Sequence, residues 1–538
     1  MRENDHMKFI MLHKKMILVV SATVFAMLLG GYAALSRSVF SGPFDILFFI
    51  IMALGGLAIY VVSFILLFYK EWPIHKLFLV AGSAIGLLSL VINTPGSIPD
   101  EAAHIKNAYL LSNRLLGIHD TVSAQQASDV YINYTSSIRK EDLKVFTDIV
   151  DGESSLQTYR EIATDFQVFA APDDAALVDC DFRDNSISPV AYFPAILGIT
   201  AARLLHLGGV PLLYLSKLFM LAFYIWGIYW AIKRLPLGKL PVFIIAIMPM
   251  CVHLAPSFSY DAVIITFAFM LIAHVLYLAY GDIRSIGRKE LIISCLLVFL
   301  FTPLKIMIYL PIVLLFFMIP KSKFPSKSRA YIFCFGMLFF GIASIIVFNL
   351  SALLTYTPGQ TLTNQYVNAG QPAYTAAWLW RHPVDAVSLI FNTTIKEGIY
   401  YYITMVGGLL GRLDTPVTHR IIYGFALCLI AACLSEKDQE AVVIKTSHRI
   451  VFVVLAASTY LFVLIGMTIW WTPFGTDVIQ GVQGRYFIPV LPLLIFALYG
   501  FRHFKVANGF GQVIAMISIA LTLFAFPNML MTILSRSV

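Results

Sequence analysis

Residues 262–280 read AVIITFAFMLIAHVLYLAY, a run that contains no Asp, Glu, Lys or Arg. A helix needs about 20 such residues to cross the hydrocarbon core of a bilayer. The whole chain of 538 residues has the same character, with 59% hydrophobic and 13% charged residues and a mean hydropathy of +0.81. Soluble domains hold about 45–50% apolar and about 25% charged residues. Because the apolar runs are too long and continuous for barrel strands, we predict an all-α, polytopic integral membrane protein.

Similar runs on both sides of this stretch predict thirteen membrane helices in all. The first run is followed at once by a second, which favours a retained helix over a cleaved signal peptide. These two helices form a predicted N-terminal extension, residues 1–76, ahead of a main transmembrane domain, residues 77–538. The predicted spans are 17–35, 44–69, 77–93, 211–232, 238–256, 262–280, 290–302, 306–320, 330–354, 418–434, 450–470, 486–500 and 508–530.

The basic residues predict the orientation of these helices. With the N-terminus in the cytoplasm, the segments that face inside carry 21 of the 38 Lys and Arg residues, and the short outer loops carry at most one each. This asymmetry satisfies the positive-inside rule. The net charge of +8 is therefore a topology signal, and no basic patch remains for nucleic acid.

Two long loops then fall outside, at residues 94–210 and 355–417. Residues 94–188 hold 16 acidic and 7 basic residues mixed with aromatic and aliphatic ones, so this part is predicted to fold. Residues 189–206 are apolar enough to span, but a span there would move Lys233, Arg234 and Lys239 outside. We therefore predict an interfacial helix at 189–206, and an interfacial or re-entrant helix at 384–406.

The most polar cluster lies at the outer mouth of a predicted span, in the sequence PDEAAH. Asp100 and Glu101 stand at a helix start, where a carboxylate commonly caps free N–H groups. Capping explains Asp100 but not His104, which lies one turn later on the same face. A carboxylate with a histidine neighbour at an open mouth is typical of general-base chemistry, which we favour over a cap.

Other predicted outer mouths carry further polar residues. Asp261 lies in a very short outer loop, where an aspartate is commonly a turn or cap residue. Lys305 interrupts the run 290–320 and either reaches the headgroups or binds a lipid phosphate. Gln483 and Arg485 precede a predicted span, where arginine serves as an interface anchor or as a bidentate phosphate ligand. Tyr192 is a weaker candidate, since an aromatic residue there also fits packing.

Six segments together resemble a bacterial family of membrane proteins, the domain-of-unknown-function family numbered 2142. In chain order they are IPDEAAHIKNAYLLS, SPVAYFPAILGITAARLL, MPMCVHLAPSFSYDAV, LWRHPVDAV, GGLLGRLDTP and GVQGRYFIPVLPLL, and the resemblance runs from about residue 77 to 530. That family in turn resembles the GT-C glycosyltransferases, which open their first outer loop with an acidic residue and carry a second in the next. Asp100 with Glu101, and then Asp261, match this pattern, while the strict Asp-x-Asp form is absent.

The resemblance implies a glycosyltransferase in the bacterial plasma membrane. It would move a sugar from a polyprenyl-phosphate donor to a cell-surface polysaccharide or lipid-linked glycan. Asp100 would be the general base, and Glu101 and His104 would orient it or bind sugar hydroxyls. The other implied roles are substrate positioning by Asp261, stabilisation of the leaving phosphate by Lys305 and Arg485, and substrate binding by Gln483 and Tyr192.

Metal use and the alternative functions stay open at this point. The six cysteines show no zinc-type spacing. Asp100 and Asp261 are the pair that would hold Mg²⁺ or Mn²⁺ if the site uses a divalent cation, because such hard ions take oxygen ligands. A polysaccharide polymerase, a lipid-linked glycan flippase and a solute transporter are the alternatives. Transport predicts charges at mid-bilayer, and only Lys217 stands there among the charges singled out.

Overall fold

The computed structural model describes residues 43–122, 132–171, 174–184, 188–305, 307–355, 374–435, 443–500 and 509–536. The α-helices are α1 Pro43–Phe64, α2 Ile74–Ile92, α3 Glu101–Leu115, α4 Lys140–Val145, α5 Leu156–Thr164, α6 Phe193–Leu204, α7 Gly209–Arg234, α8 Lys239–Ala246, α9 Pro249–Leu254, α10 Asp261–Tyr280, α11 Arg288–Phe301, α12 Lys327–Thr355, α13 Ala376–Arg381, α14 Pro383–Val406, α15 His419–Ser435, α16 Thr446–Trp471, α17 Leu491–Leu498 and α18 Phe510–Ser535. The strands are β1 Asp120–Val122, β2 Ile132–Arg139, β3 Leu177–Asp184, β4 Leu409–Leu410 and β5 Thr415–Pro416. Short 3₁₀ helices cover Pro189–Tyr192, Thr302–Leu304, Leu310–Met318, Lys321–Lys323 and Gly484–Val490, and π-helical turns cover Ile65–Tyr69 and Phe146–Val150.

The prediction of a mostly helical protein with several membrane spans is confirmed, but the count of thirteen spans is not. Within the described ranges, seven helices are long and apolar enough to cross a bilayer. They are Ile46–Tyr69, Ile74–Ile92, Gly209–Arg234, Asp261–Tyr280, Lys327–Leu350, Thr446–Trp471 and Phe510–Ser535. The predicted span 17–35 lies outside the described residues. The other five predicted spans correspond to shorter or broken helices.

Prolines explain where the predicted spans break. The prediction of one span over 238–256 is wrong, because α8 ends at Ala246 and α9 begins at Pro249. A proline has no backbone N–H and fits the first turn of a new helix. Pro303 likewise ends α11 in a short 3₁₀ turn, and the chain continues after Lys305 as the 3₁₀ helix Leu310–Met318. The bundle therefore contains half-helices whose ends lie inside the fold.

The stretch 262–280 forms the centre of the bundle. In its most apolar 18-residue stretch 94% is buried inside the protein, against 17% for the span Ile46–Tyr69, which contains most of α1. α10 packs against α7 and α11, while α1 packs against α2 and α18 at the edge. Helix α6 approaches α7 closely at Gly198, where an added Cβ would lie 2.5 Å from the Ser216 Cα. Only glycine permits this contact between backbones.

The first long loop contains a small sheet, which the all-α prediction missed. Strands β1, β2 and β3 are antiparallel in that order, with Ser136 opposite Cys180. Arg139 at the end of β2 donates to both carboxylate oxygens of Asp142 at 2.6 and 2.7 Å. Tyr109 of α3 donates to the same carboxylate at 2.8 Å. This buried network attaches the loop region to α3, as the prediction of a folded loop requires.

The two helices predicted to be interfacial are both present. α6 packs between α3 and α7, and the preceding 3₁₀ helix Pro189–Tyr192 packs against α10 and the 3₁₀ helix Thr302–Leu304. α14 turns one apolar row outward, and its exposed members are Val384, Val387, Phe391, Ile395 and Ile399. An outward apolar row at this spacing is what a helix in contact with lipid requires. Residues 356–373 of the second long loop lie outside the described part.

Candidate functional site

Three segments that are distant in sequence meet at the bundle end predicted to face outside. Asp100 precedes α3, Asp261 begins α10, and Arg485 lies in the 3₁₀ helix Gly484–Val490. The Arg485 Nε atom is 2.7 Å from Asp261 Oδ2, and Arg485 Nη2 is 3.8 Å from Asp100 Oδ2. The side chains of Arg485 and Asp261 are 2% and 5% exposed, whereas that of Asp100 is 50% exposed. A buried Arg485–Asp261 ion pair therefore lies beside the half-exposed carboxylate of Asp100.

Asp100 does not cap the helix that it precedes. Its side chain makes no capping hydrogen bond to α3, which removes the structural explanation that the sequence offered. Its backbone is left-handed, with φ of 62° and ψ of 7°. Aspartate and asparagine tolerate this region better than other non-glycine residues. The conformation still costs free energy, which interactions in the surrounding fold must offset. The carboxylate is thereby directed to the mouth rather than to the helix end.

Glu101 holds the turn that presents Asp100. Glu101 is 1% exposed, and this burial raises the pKa of its carboxyl group. Oε2 accepts hydrogen bonds from the backbone N–H groups of Gly96 at 3.0 Å and Ile98 at 3.3 Å, and Oε1 accepts one from Phe258 at 3.0 Å. The carboxylate thus joins residues 96–98 to the loop before α10. We assign Glu101 a positioning role, because its oxygens face backbone rather than solvent.

Replacing Glu101 by Gln should destabilise the protein by about 1–3 kcal/mol, because one oxygen becomes an NH₂ group facing a backbone donor. Thermal or denaturant unfolding in detergent measures this change. Glu161→Gln is the matched control, since among the described residues that carboxylate accepts a single exposed hydrogen bond, from Gln157, and the change should alter stability by no more than about 0.5 kcal/mol. Equal stabilities of the two variants would contradict the assignment.

His104 lies among the aromatic residues of the mouth. Its Nδ1 atom is 2.8 Å from the hydroxyl of Tyr192, and its ring meets the Tyr260 ring edge-on at 4.9 Å between centroids. Burial lowers the pKa of the imidazole to about 4, against the pull of the Asp100 and Asp261 carboxylates. His104 is therefore neutral at physiological pH and serves as a hydrogen-bonding partner of Tyr192.

The lowered pKa of His104 predicts a pH-dependent stability. Between pH 6.5 and about 4, His104 is protonated in the unfolded protein but stays neutral in the folded protein. The wild type therefore loses stability as the pH falls. The loss reaches about 3 kcal/mol, and His104→Gln should not show it. Melting temperatures in detergent from pH 7 to pH 4.5 measure the effect. If the difference in stability between wild type and His104→Gln stayed constant across this range, the prediction would be contradicted.

Lys305 stands in the gap between α11 and the 3₁₀ helix Leu310–Met318. Its Nζ atom lies 3.5 Å from the centroid of the Tyr486 ring and 5.7 Å from that of Tyr260. In the described part of the chain, no carboxylate lies within ion-pair distance of this half-buried ammonium. An ammonium held by aromatic faces keeps its charge available for an anion.

The segment that carries Arg485 is held against α14. An added Cβ at Gly484 would lie 1.9 Å from the carbonyl oxygen of Tyr401, and Gly484 N donates to Thr404 Oγ1 at 3.0 Å. Arg485 Nε faces Asp261 as an ion pair without hydrogen-bond alignment. Within the described ranges, Gln483 Oε1, Tyr401 Oη and Arg485 Nη1 are buried and make no hydrogen bond to protein. These atoms can bind water or a ligand.

The carboxylates Asp100 and Asp261 do not fit a divalent cation in this arrangement. Both face the Arg485 guanidinium, which already supplies the positive charge between them. Over the residues that the structure describes, no cluster of three or more His, Cys, Asp or Glu side chains could hold a metal ion. The chemistry considered below therefore uses only side chains.

A second buried polar group lies beneath the mouth, and sequence reasoning found only one of its members. Lys217 of α7 donates to the carbonyl oxygen of Asn93, which supplies the partner that the sequence did not indicate. The Asn93 Oδ1 atom is 3.0 Å from His253 Nδ1, and Gly411 N donates to His253 Nε2 at 3.1 Å. The position of Asn93 at the end of an apolar run was the only available signal.

One family of known proteins matches the chain. The family described as predicted membrane protein, DUF2142, covers residues 84–494, which is well over half of the chain and includes every candidate residue above. The chain belongs to the DUF2142 family. No curated protein and no solved structure matches it. The DUF2142 description gives a membrane location, and the match includes α10, Asp100, Asp261, Lys305 and Arg485 in one unit.

Proposed function

We propose that the protein is a membrane glycosyltransferase. It transfers a sugar from a polyprenyl-phosphate donor to a hydroxyl of a cell-surface polysaccharide or lipid-linked glycan, at the outer face of the bacterial plasma membrane. The observation that carries the proposal is the half-open Asp100 carboxylate, which lies beside the buried Arg485 and within one mouth with Lys305. A base and two cations at one opening suit a reaction that removes a proton and releases a phosphate.

Asp100 is the general base in this proposal. Its carboxylate accepts the proton of the acceptor hydroxyl while the oxygen attacks the anomeric carbon, and the bond from that carbon to the phosphate oxygen breaks. Half exposure lets an acceptor reach the carboxylate, and the Glu101-held turn fixes its position. Proton transfer to a positioned base contributes about 10²–10⁴-fold to rate.

The leaving phosphate remains on its lipid and gains negative charge as the bond breaks. Lys305 has no carboxylate partner among the described residues, and Arg485 Nη1 makes no protein hydrogen bond there, so both have capacity for phosphate oxygens. Arginine binds phosphate through several aligned N–H groups, while lysine acts as a point charge. Asp261 limits the net charge of the site and orients the guanidinium.

The donor and the acceptor reach the mouth from different media in this proposal. The polyprenyl chain stays in the outer leaflet, and α14, which holds the segment of Arg485, presents an apolar row to lipid. The acceptor arrives from the aqueous side, where Asp100 is exposed. Tyr260 is partly exposed at the mouth, where its ring and hydroxyl suit contact with a sugar, whereas Tyr192 and Tyr486 are buried.

Mass spectrometry of envelope glycans tests the proposal. Three strains are compared: a deletion of the gene, the deletion restored with wild type, and the deletion restored with Asp100→Asn at equal protein level. We expect one sugar residue to be lost in the deletion and to stay missing with Asp100→Asn. The lost sugar then identifies the donor.

The alternative functions give different results in the same experiment. A polymerase changes chain length rather than removing one sugar type, and a flippase causes complete lipid-linked units to accumulate inside. A glycan restored in full by Asp100→Asn would contradict the role of Asp100 and favour a transporter or flippase. Glycans unchanged by the deletion would contradict the proposed function as a whole.

A further inference from the structure

A basic surface lies at the end of α11 that is opposite to Lys305. It is formed by the loop before α11 and by the segment that leads into α12, residues 281–289 and 321–329. The first segment supplies Arg284, Arg288 and Lys289, and the second supplies Lys321, Lys323, Lys327 and Arg329. Against these seven cations, the two segments contain one acidic residue, Asp282. This end of the bundle is the one predicted to face the cytoplasm.

The two segments form a single surface. Ile286 N donates to the carbonyl oxygen of Lys323 at 3.1 Å, and Lys323 Nζ donates to the carbonyl oxygen of Gly281 at 2.9 Å. The helices that follow, α11 and α12, pack against each other. Six of the seven basic residues are exposed, and Lys323 is partly buried. The positive-inside rule accounts for basic loops one at a time, whereas the meeting of these two loops is a property of the fold.

The positive charge of this surface is not compensated within the protein. Among the residues that the structure describes, none of the seven cations forms an ion pair with a carboxylate. The next acidic residue, Glu290, is paired with Arg234 instead. Four of the cations stand in the first turns of α11 and α12, where the helix dipole favours acidic side chains. Helix stability therefore does not explain the basic surface.

Apolar side chains that face outward begin directly beside the cations. Leu291 and Ile292 of α11 and Tyr331 and Ile332 of α12 are all exposed, each pair within two residues of the basic surface. Outward apolar side chains on a membrane helix contact lipid tails. Lys321 Nζ donates to the Tyr331 hydroxyl and lies 4.3 Å from the centroid of that ring. Tyrosine and lysine together are typical of the headgroup level of a bilayer.

We propose that the basic surface binds the headgroups of anionic phospholipids. The ligand is a negatively charged phosphodiester with acyl chains, because the cations border an apolar face rather than open water on every side. Basic side chains next to a membrane attract anionic lipids, and their contributions add. A bound headgroup contacts both α11 and α12 and reduces the repulsion among the cations, so it should stabilise the folded protein. The inference goes beyond the proposed function and does not depend on it.

Thermal unfolding of the full-length protein in nanodiscs tests this inference. The nanodiscs contain phosphatidylcholine alone or phosphatidylcholine mixed with phosphatidylglycerol. We expect phosphatidylglycerol to raise the melting temperature of wild type but not that of the fourfold variant Arg288→Gln, Lys289→Gln, Lys327→Gln and Arg329→Gln. In titrations followed by native mass spectrometry, the variant should bind phosphatidylglycerol about tenfold more weakly.

The fourfold variant should fold normally in phosphatidylcholine. Its four side chains make no ion pair and no side-chain hydrogen bond within the described part of the chain, so its melting temperature there should match that of wild type. The matched control removes four exposed cations from the other end of the molecule, Lys140, Lys144, Arg381 and Lys396, again by substitution with Gln. This control has the same net charge as the variant and should respond to phosphatidylglycerol like wild type.

The remaining outcomes decide between a lipid site, a charge effect and a phosphate site. If wild type does not respond to phosphatidylglycerol, or if both fourfold variants respond equally, the basic surface is not a lipid site. If inorganic phosphate added to phosphatidylcholine nanodiscs gives wild type the same stabilisation, the ligand is free phosphate and the lipid assignment is wrong. Envelope glycans that stay unchanged in the deletion strain would refute the transferase proposal and leave this inference standing.

Discussion

Asp100→Asn should reduce sugar transfer by about 10²–10⁴-fold while leaving the fold intact. Asparagine has the same shape and accepts the left-handed backbone that residue 100 requires, but it does not take up a proton at neutral pH. The measurement is transfer from a polyprenyl-phosphate-linked sugar by purified protein in detergent, with the melting temperature recorded in parallel. A large loss of rate with an unchanged melting temperature assigns the effect to chemistry.

Asp151→Asn provides the matched control for this substitution. Asp151 lies in the same loop region, is similarly exposed, and pairs with Lys106 at 3.3 Å. Exposed ion pairs contribute about 0–1 kcal/mol to stability, so this variant should keep both rate and melting temperature. Full transfer by Asp100→Asn, or an equal loss in both variants, would rule out Asp100 as the base.

Arg485→Met and Asp261→Leu should each destabilise the protein by about 3–5 kcal/mol. Arg485→Met leaves the 5% exposed Asp261 carboxylate without its cation, and Asp261→Leu leaves the 2% exposed guanidinium with only the half-exposed Asp100 at 3.8 Å. The double variant should recover most of this stability, because two apolar side chains of similar volume replace a pair that is costly to desolvate. Unfolding in detergent of the wild type, both single variants and the double variant measures the coupling.

Sugar-transfer assays on the same variants should distinguish a role of the ion pair in stability from a role in activity. The double variant lacks the guanidinium beside Asp100 and should stay inactive although it is stable. Arg485→Lys keeps a charge but loses the planar donor group, so it should restore transfer only in part. A stable double variant with wild-type transfer would show that the pair serves the fold alone.

The fold could be predicted where a single property extends along a continuous segment. The spans of α7, α10, α16 and α18 follow from long apolar runs, and the structure contains all of them. The break between α8 and α9 was missed, because Pro249 sits in a segment whose hydropathy alone reads as continuous. The sheet of β1, β2 and β3 was missed because short strands in a mixed, charged loop carry a weak pattern.

The sequence predicted which residues meet at the candidate site, but not which side chains face the opening and which hold the backbone. Charges are rare in this chain, so Asp100, Asp261, Lys305 and Arg485 stood out, and the structure brings them to one mouth. Glu101 stood out equally, but its partner Phe258 lies 157 residues away. The direction in which a side chain points depends on such distant backbone groups, which no local pattern in the sequence reveals.

The position of Arg485 between two carboxylates also sets an order of events during biosynthesis. The ribosome makes Asp100 and Asp261 long before Arg485, which lies near the end of the chain. Until that residue is made, the two carboxylates have no guanidinium between them. A chain that ends before residue 485 therefore lacks the counter-ion that the buried Asp261 carboxylate requires.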